Sequence, residues 1–183
     1  MKFLKNKKQN KGFTLVEILL VVGFIALAGI GIYTIYSKVQ VSNQANTESR
    51  NLDTLRAGVK SLYGGRPNFN GVSATIANNA RVTPETMRTV GSAALITNSF
   101  GGTVLIAATP LNAIPDAGFR ITYPQVPSSV CAKLVTSAGV QFDQVTVNGV
   151  IVKTFAVNAP IDVALTTTNC NAVDTPTILF DSN

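Results

Sequence analysis

The chain contains no histidine. That absence removes the commonest general base and the commonest metal ligand together. Its two cysteines cannot build a Cys₄ zinc site, and without histidine a Cys₂His₂ site is excluded as well. No catalytic triad is possible without a base, and no Ser-centred nucleophile elbow occurs. Charge is scarce: 13% of residues are Asp, Glu, Lys or Arg, about half the usual share. With a mean hydropathy of +0.28, this excludes a disordered polyelectrolyte. Proline is missing before Pro67, so nothing upstream forbids one long helix. Gly64-Gly65 and Gly101-Gly102 lack a phosphate-cradling pattern and read as turns. Asp162, Asp174 and Asp181 show no spaced ligand loop and read as solvated loop charges, not a calcium site. The expectation is a chain with no catalytic residue, no metal and no cofactor.

What is present is unevenly placed. Of 15 cations, five (Lys2, Lys5, Lys7, Lys8 and Lys11) fall in the first twelve residues, which hold no acid. From Phe13 onward ten cations face nine acids, and beyond Gly65 six face six. The formal charge of +6 therefore describes a basic head, and the body has no excess charge for a nucleic-acid partner. At 183 residues the chain has room for one domain of ordinary size and an appendage.

From Leu15 to Tyr36 the only ionised residue is Glu17. Those 22 residues would make a helix of about 33 Å, enough to cross a hydrocarbon core of about 30 Å. The lysines hold the N-terminal edge on the cytoplasmic side, and Tyr33 and Tyr36 suit the far interface. A secretory signal peptide would have a shorter apolar core ending in a small-x-small cleavage site. A permanent anchor leaves Glu17 unexplained, because a carboxylate within an apolar span costs roughly 2–3 kcal/mol unless it is paired or near the interface.

Gly12-Phe13-Thr14-Leu15-Val16-Glu17, after a short lysine-rich leader and before an uninterrupted apolar run, resembles the N-terminus of a type IV prepilin. The resemblance implies cleavage by a membrane prepilin peptidase between Gly12 and Phe13, N-methylation of Phe13, and an assembly role for Glu17. It further implies a structural subunit, the major pilin of a type IV pilus, that polymerises with itself. Such a subunit waits in the bacterial inner membrane, meets the assembly machinery there and ends in an extracellular fibre. A host or recipient cell surface is a compatible target of that fibre. A minor pilin and a type II secretion pseudopilin share the same signature, and an uncleaved single-pass binding domain is the rival from another class.

Beyond Tyr36 the chain becomes polar but keeps an apolar stripe at Leu52, Leu55, Val59 and Leu62, with Glu48, Arg50, Asp53, Arg56 and Lys60 off it. One helix from about Thr14 to Tyr63 follows, stopped by Gly64-Gly65 and weakened locally by Gly23, Gly29, Gly31 and Gly58. The expected organisation is a leader over 1–12, an apolar stem over 13–36, an amphipathic helix half over 37–65 and a globular head over 66–183. Within the head, Thr83 is the expected N-cap of a short helix, with a weaker helix around Val72–Asn78. Strands are expected at Val104–Ala108 and Phe119–Tyr123 with a Pro-containing loop between them, and a helix at Ser128–Ser137. Phe142–Val147 and Val150–Phe155 flank Asn148-Gly149 as a hairpin, Thr166–Thr168 marks a loop, and Thr177–Asp181 is a last strand. The fold class is α+β, an antiparallel sheet packed on the long helix. Exported by the prepilin route, the body would carry Cys131 and Cys170 as a disulfide. Reactive thiols are the rival, though no CxxC accompanies them. The N-terminus, with its short leader and Phe13, resembles type IVa pilins, and the layout between the cysteines resembles the type IVb subclass.

Overall fold

The computed structural model describes residues 13–89, 95–111, 113–156 and 159–183; Gly12 and the rest of the leader lie outside them. Two compact units emerge, one ending at Val39 and one spanning Gln40–Asn183. Helix α1, Leu15–Tyr63, supplies the first and opens the second. Its start is set locally. The Thr14 hydroxyl and carbonyl both accept from the Glu17 N–H (3.3 and 3.1 Å), and the carbonyl accepts from Ile18 as well. Thr14 is thus an N-cap, and Thr14-Leu15-Val16-Glu17 has the T-x-x-E spacing of a capping box.

In the second unit, α1 buries Ala45, Glu48, Leu52, Leu55, Val59 and Tyr63. The stripe is one carboxylate longer than its aliphatic residues suggest. Glu48, expected on the solvated side, lies four residues before Leu52, on the same face, and is 1% exposed. Leu62, expected on the stripe, is instead 39% exposed. Tyr63 takes its place, stacked on Phe69 at 5.6 Å, and Phe69 in turn meets Phe119 at 5.0 Å. Gly58 proves a close-approach residue: a β-carbon there would lie 2.6 Å from Val82 Cβ. Omitting the side chain lets the 82–83 segment cross the helix.

Short elements follow α1. Helix α2, Ala74–Asn79, is capped by Ser73 Oγ, which accepts from Ile76 N. A 3₁₀ turn at Glu85–Met87 follows Pro84, with no side-chain cap. Thr83 is therefore not the cap; its hydroxyl is buried without a hydrogen-bond partner among the described residues.

Among the described residues six antiparallel strands form one sheet: β1 (Ile96–Thr97), β2 (Thr103–Leu111), β3 (Ile114–Tyr123), β4 (Gln144–Val147), β5 (Val150–Lys153) and β6 (Ile178–Ser182). Their order is β1-β2-β3-β6-β4-β5, which places the last strand between β3 and β4. One inward row crosses four strands, Ile106↔Ile121↔Phe180↔Val145. These side chains share one core with the buried face of α1 and with α3, Ser128–Ala138. The loop expected between β2 and β3 is mostly strand. Pro110 falls at the register shift between Thr109 and Leu111, and Pro115 near the start of β3, positions at which a sheet tolerates proline.

The Thr166–Thr168 run also departs from expectation. It lies inside helix α4, Val163–Cys170, so Cys170 ends a helix and does not sit in a loop. Asp162 caps α4 by accepting from Leu165 N at 2.9 Å. The hydroxyls of Thr166, Thr167 and Thr168 each donate to the carbonyl four residues back. Those bonds let three β-branched polar residues sit in a helix their propensity disfavours.

Candidate functional site

From Phe13 to Tyr33 every residue is exposed. Phe13, Leu15, Leu20, Phe24 and Leu27 each show 70% or more of their surface. The stem is apolar enough to span a membrane, with a mean hydropathy of 2.6 over its best 18-residue window and none of that window buried in the chain itself. A helix that is apolar on all sides is stable only against lipid or against other apolar helices. Glu17 is the one carboxylate on this surface, and among the described residues no hydrogen bond or ion pair reaches its side chain. Phe13 and Glu17 are thus both displayed. The structure joins neither to a partner, and Gly12 lies outside the described residues.

In the body the structure does bring the two cysteines together. Cys131 of α3 and Cys170 of α4 form a disulfide with Cα atoms 5.6 Å apart, and both are fully buried. No free cysteine remains. The bridge closes a segment that includes β4, β5 and α4. Asn148, at the tip of the β4–β5 hairpin, is tied to residues at the far end of that segment and just beyond it. Its Nδ2 donates to Asn169 O at 2.8 Å, and its Oδ1 accepts from Thr177 N at 3.0 Å.

Two charged groups missed by sequence reasoning organise the core. Glu48 accepts from Tyr123 Oη, from Ser99 N and from Asn51 Nδ2, and so pins α1 to β3 and to the turn before β2. The usable signal was its heptad-like spacing to Leu52, outweighed there by its charge. Lys153, 8% exposed, donates to the carbonyls of Gly139, Val140 and Phe142. Its ammonium thus closes the C-terminal end of α3 and the turn after it. Burial lowers the Lys153 pKa below its ordinary value, while the charge of Asp143 opposes that shift. Arg120 and Asp181 make a bidentate bridge at 2.6 and 2.7 Å across β3 and β6. That hydrogen bonding raises the Arg120 pKa.

None of these groups forms a catalytic constellation. Among the described residues no cluster of three metal-ligating side chains occurs. Asp162 is used as a helix cap and Asp181 as the partner of Arg120.

Known proteins resemble this chain over most of its length. The family described as PilS N terminal matches residues 42–183. The major structural subunit of the bundle-forming pilus of Escherichia coli O127:H6 is 26% identical over 133 residues, 73% of this chain and 67% of that protein. The toxin coregulated pilin of Vibrio cholerae serotype O1 is 27% identical over 148 residues, 77% of this chain and 65% of that one. Two solved structures share the fold. A type IVb pilin from Salmonella typhi aligns with a TM-score of 0.58 and 23% identity over 75% of this chain and 99% of the other. TcpA of Vibrio cholerae El Tor aligns with 0.57 and 18% over 79% and 99%. With the family match over most of the chain and the fold shared with both solved structures, the chain belongs to the PilS family of type IV pilins.

Proposed function

We propose that this chain is the major structural subunit of a type IV pilus. In this reading residues 1–12 are a leader removed by prepilin peptidase between Gly12 and Phe13, and Phe13 becomes the N-methylated first residue. Residues 13–36 hold the subunit in the inner membrane before assembly and form the fibre core afterwards. The head, 66–183, carried on the amphipathic half over 37–65, forms the extracellular surface of the pilus. The observation that carries the reading is the pairing of a fully exposed apolar stem with a disulfide-closed body that buries its own core.

The chemistry follows from the stem. Cleavage creates an ammonium at Phe13 beside apolar surface, four residues from a carboxylate that no cation meets among the described residues. In a bundle of stems the ammonium of one subunit pairs with Glu17 of its neighbour. Lipid is already apolar, so stem association rests on van der Waals packing and on this pair. Its main effect is to penalise misdocking, since either charge left alone in an apolar bundle is costly. Loss of the five leader lysines also frees the chain from the anionic cytoplasmic leaflet.

The test is a pair of variants in the native cell. Gly12→Leu should retain the leader and run about 1.3 kDa heavier (twelve residues at roughly 110 Da). Glu17→Ala should insert and mature normally but yield few fibres. Unchanged processing of the first would reject the assigned cleavage, and normal fibre yield from the second would reject the role of Glu17.

A further inference from the structure

The Asn148-Gly149 turn has chemistry that its role as a hairpin does not use. Asn148 and Gly149 both have positive φ, +49° and +83°, and both are exposed. Glycine at the second position leaves the backbone nitrogen unshielded by a side chain. That is the arrangement in which an asparagine amide is lost by internal attack. The Gly149 nitrogen bonds to Asn148 Cγ, the Cγ–Nδ2 bond breaks, and ammonia departs with the proton from Gly149 N–H. Water then opens the resulting succinimide at either carbonyl, leaving aspartate or isoaspartate. No oxidant or reductant is required.

In the folded chain the Asn148 side chain is already engaged. The Asn148 amide is held away from the turn by the bonds to Asn169 O and Thr177 N, and Asn148 N also donates to Thr177 O at 3.0 Å. Asn169 lies in the last turn of α4, next in sequence to the buried Cys170, and Thr177 ends the connection from α4 to β6. The disulfide to Cys131 therefore fixes the acceptor that restrains Asn148. We propose that Asn148 is a spontaneous deamidation site gated by docking of the 169–177 segment, with the Cys131–Cys170 bridge as its safety catch. Conversion is one-way. Aspartate lacks the Nδ2–H donor and sets a carboxylate oxygen against the Asn169 carbonyl, so the modified turn no longer holds that segment.

The experiment uses the full chain in detergent at mildly alkaline pH. Trypsin releases Leu134–Lys153, in which Asn148 is the only asparagine. Deamidation appears there as a mass gain of about 1 Da together with a chromatographically split isoaspartate form. The oxidised folded chain should convert roughly tenfold or more slowly than the chain unfolded in guanidinium, because reaction requires local opening. The Cys131→Ser/Cys170→Ser variant should fall between the two. Equal rates in the folded and unfolded chains would overturn the gate, whether or not the variant folds. A folded variant as slow as wild type would overturn the role of the disulfide. Asn148→Asp in the oxidised chain should lower the thermal midpoint, and an unchanged midpoint would contradict the proposed loss of docking.

Discussion

The stem and the body use apolar side chains in opposite ways. Over 13–33 the aliphatic and aromatic residues are all exposed, whereas beyond Gln40 most of the larger ones are buried, along α1, α3 and the strands. The contrast separates two kinds of stability. The body is held by burial within one chain, so water alone drives its packing. Over 13–33 the stem leaves its apolar surface exposed among the described residues, and its surroundings must supply the apolar phase. Changes in one region should therefore leave the other untouched, and each prediction below probes that separation.

The largest effect is expected from deleting Ile178–Ser182. This strand pairs with both β3 and β4, and its Phe180 meets Phe142 and Tyr123 in the core. Its loss should abolish the folded body, read as loss of near-ultraviolet dichroism, while membrane insertion of the stem continues. Removing the disulfide by Cys131→Ser/Cys170→Ser comes next. A bridge with a sequence separation of 39 should contribute about 4 kcal/mol in the chain-entropy model, read by denaturant unfolding. Leu52→Ala, in the fully buried stripe, should cost about 2–5 kcal/mol, whereas Leu62→Ala on the same helix should stay within about 0.5 kcal/mol. Glu48→Ala should cost about 1–3 kcal/mol by leaving the Tyr123 hydroxyl and Ser99 N–H without their acceptor. A Leu20→Ala change in the stem is expected to move body stability by less than about 0.5 kcal/mol.

How much of this could be read beforehand depended on how local each cause was. Helix α3 and the hairpin at Asn148-Gly149 are set by short-range pattern and turn chemistry, and both lie where their residues indicate. The continuous helix through Tyr63 needed only an absence of proline and a glycine stop. Thr166–Thr168 misled because its helix rests on the Asp162 cap and on back-bonding hydroxyls, which composition does not display. Glu48 misled for a related reason. A carboxylate reads as solvated unless three donors converge on it, and those donors come from residues 51, 99 and 123. The insertion of β6 between β3 and β4 is a wholly non-local fact. Of the proposed assembly site, the residue types are explicit in the sequence, but their partners belong to other copies of the chain.

The state of the chain in the fibre is the most direct test of polymerisation after cleavage. Intact mass with N-terminal fragmentation should be measured on protein sheared from the native cell surface. A chain beginning at N-methyl-Phe13, two hydrogens lighter than its reduced form through the Cys131–Cys170 bridge, is the predicted result. A chain still beginning at Met1 and confined to the membrane fraction would contradict it.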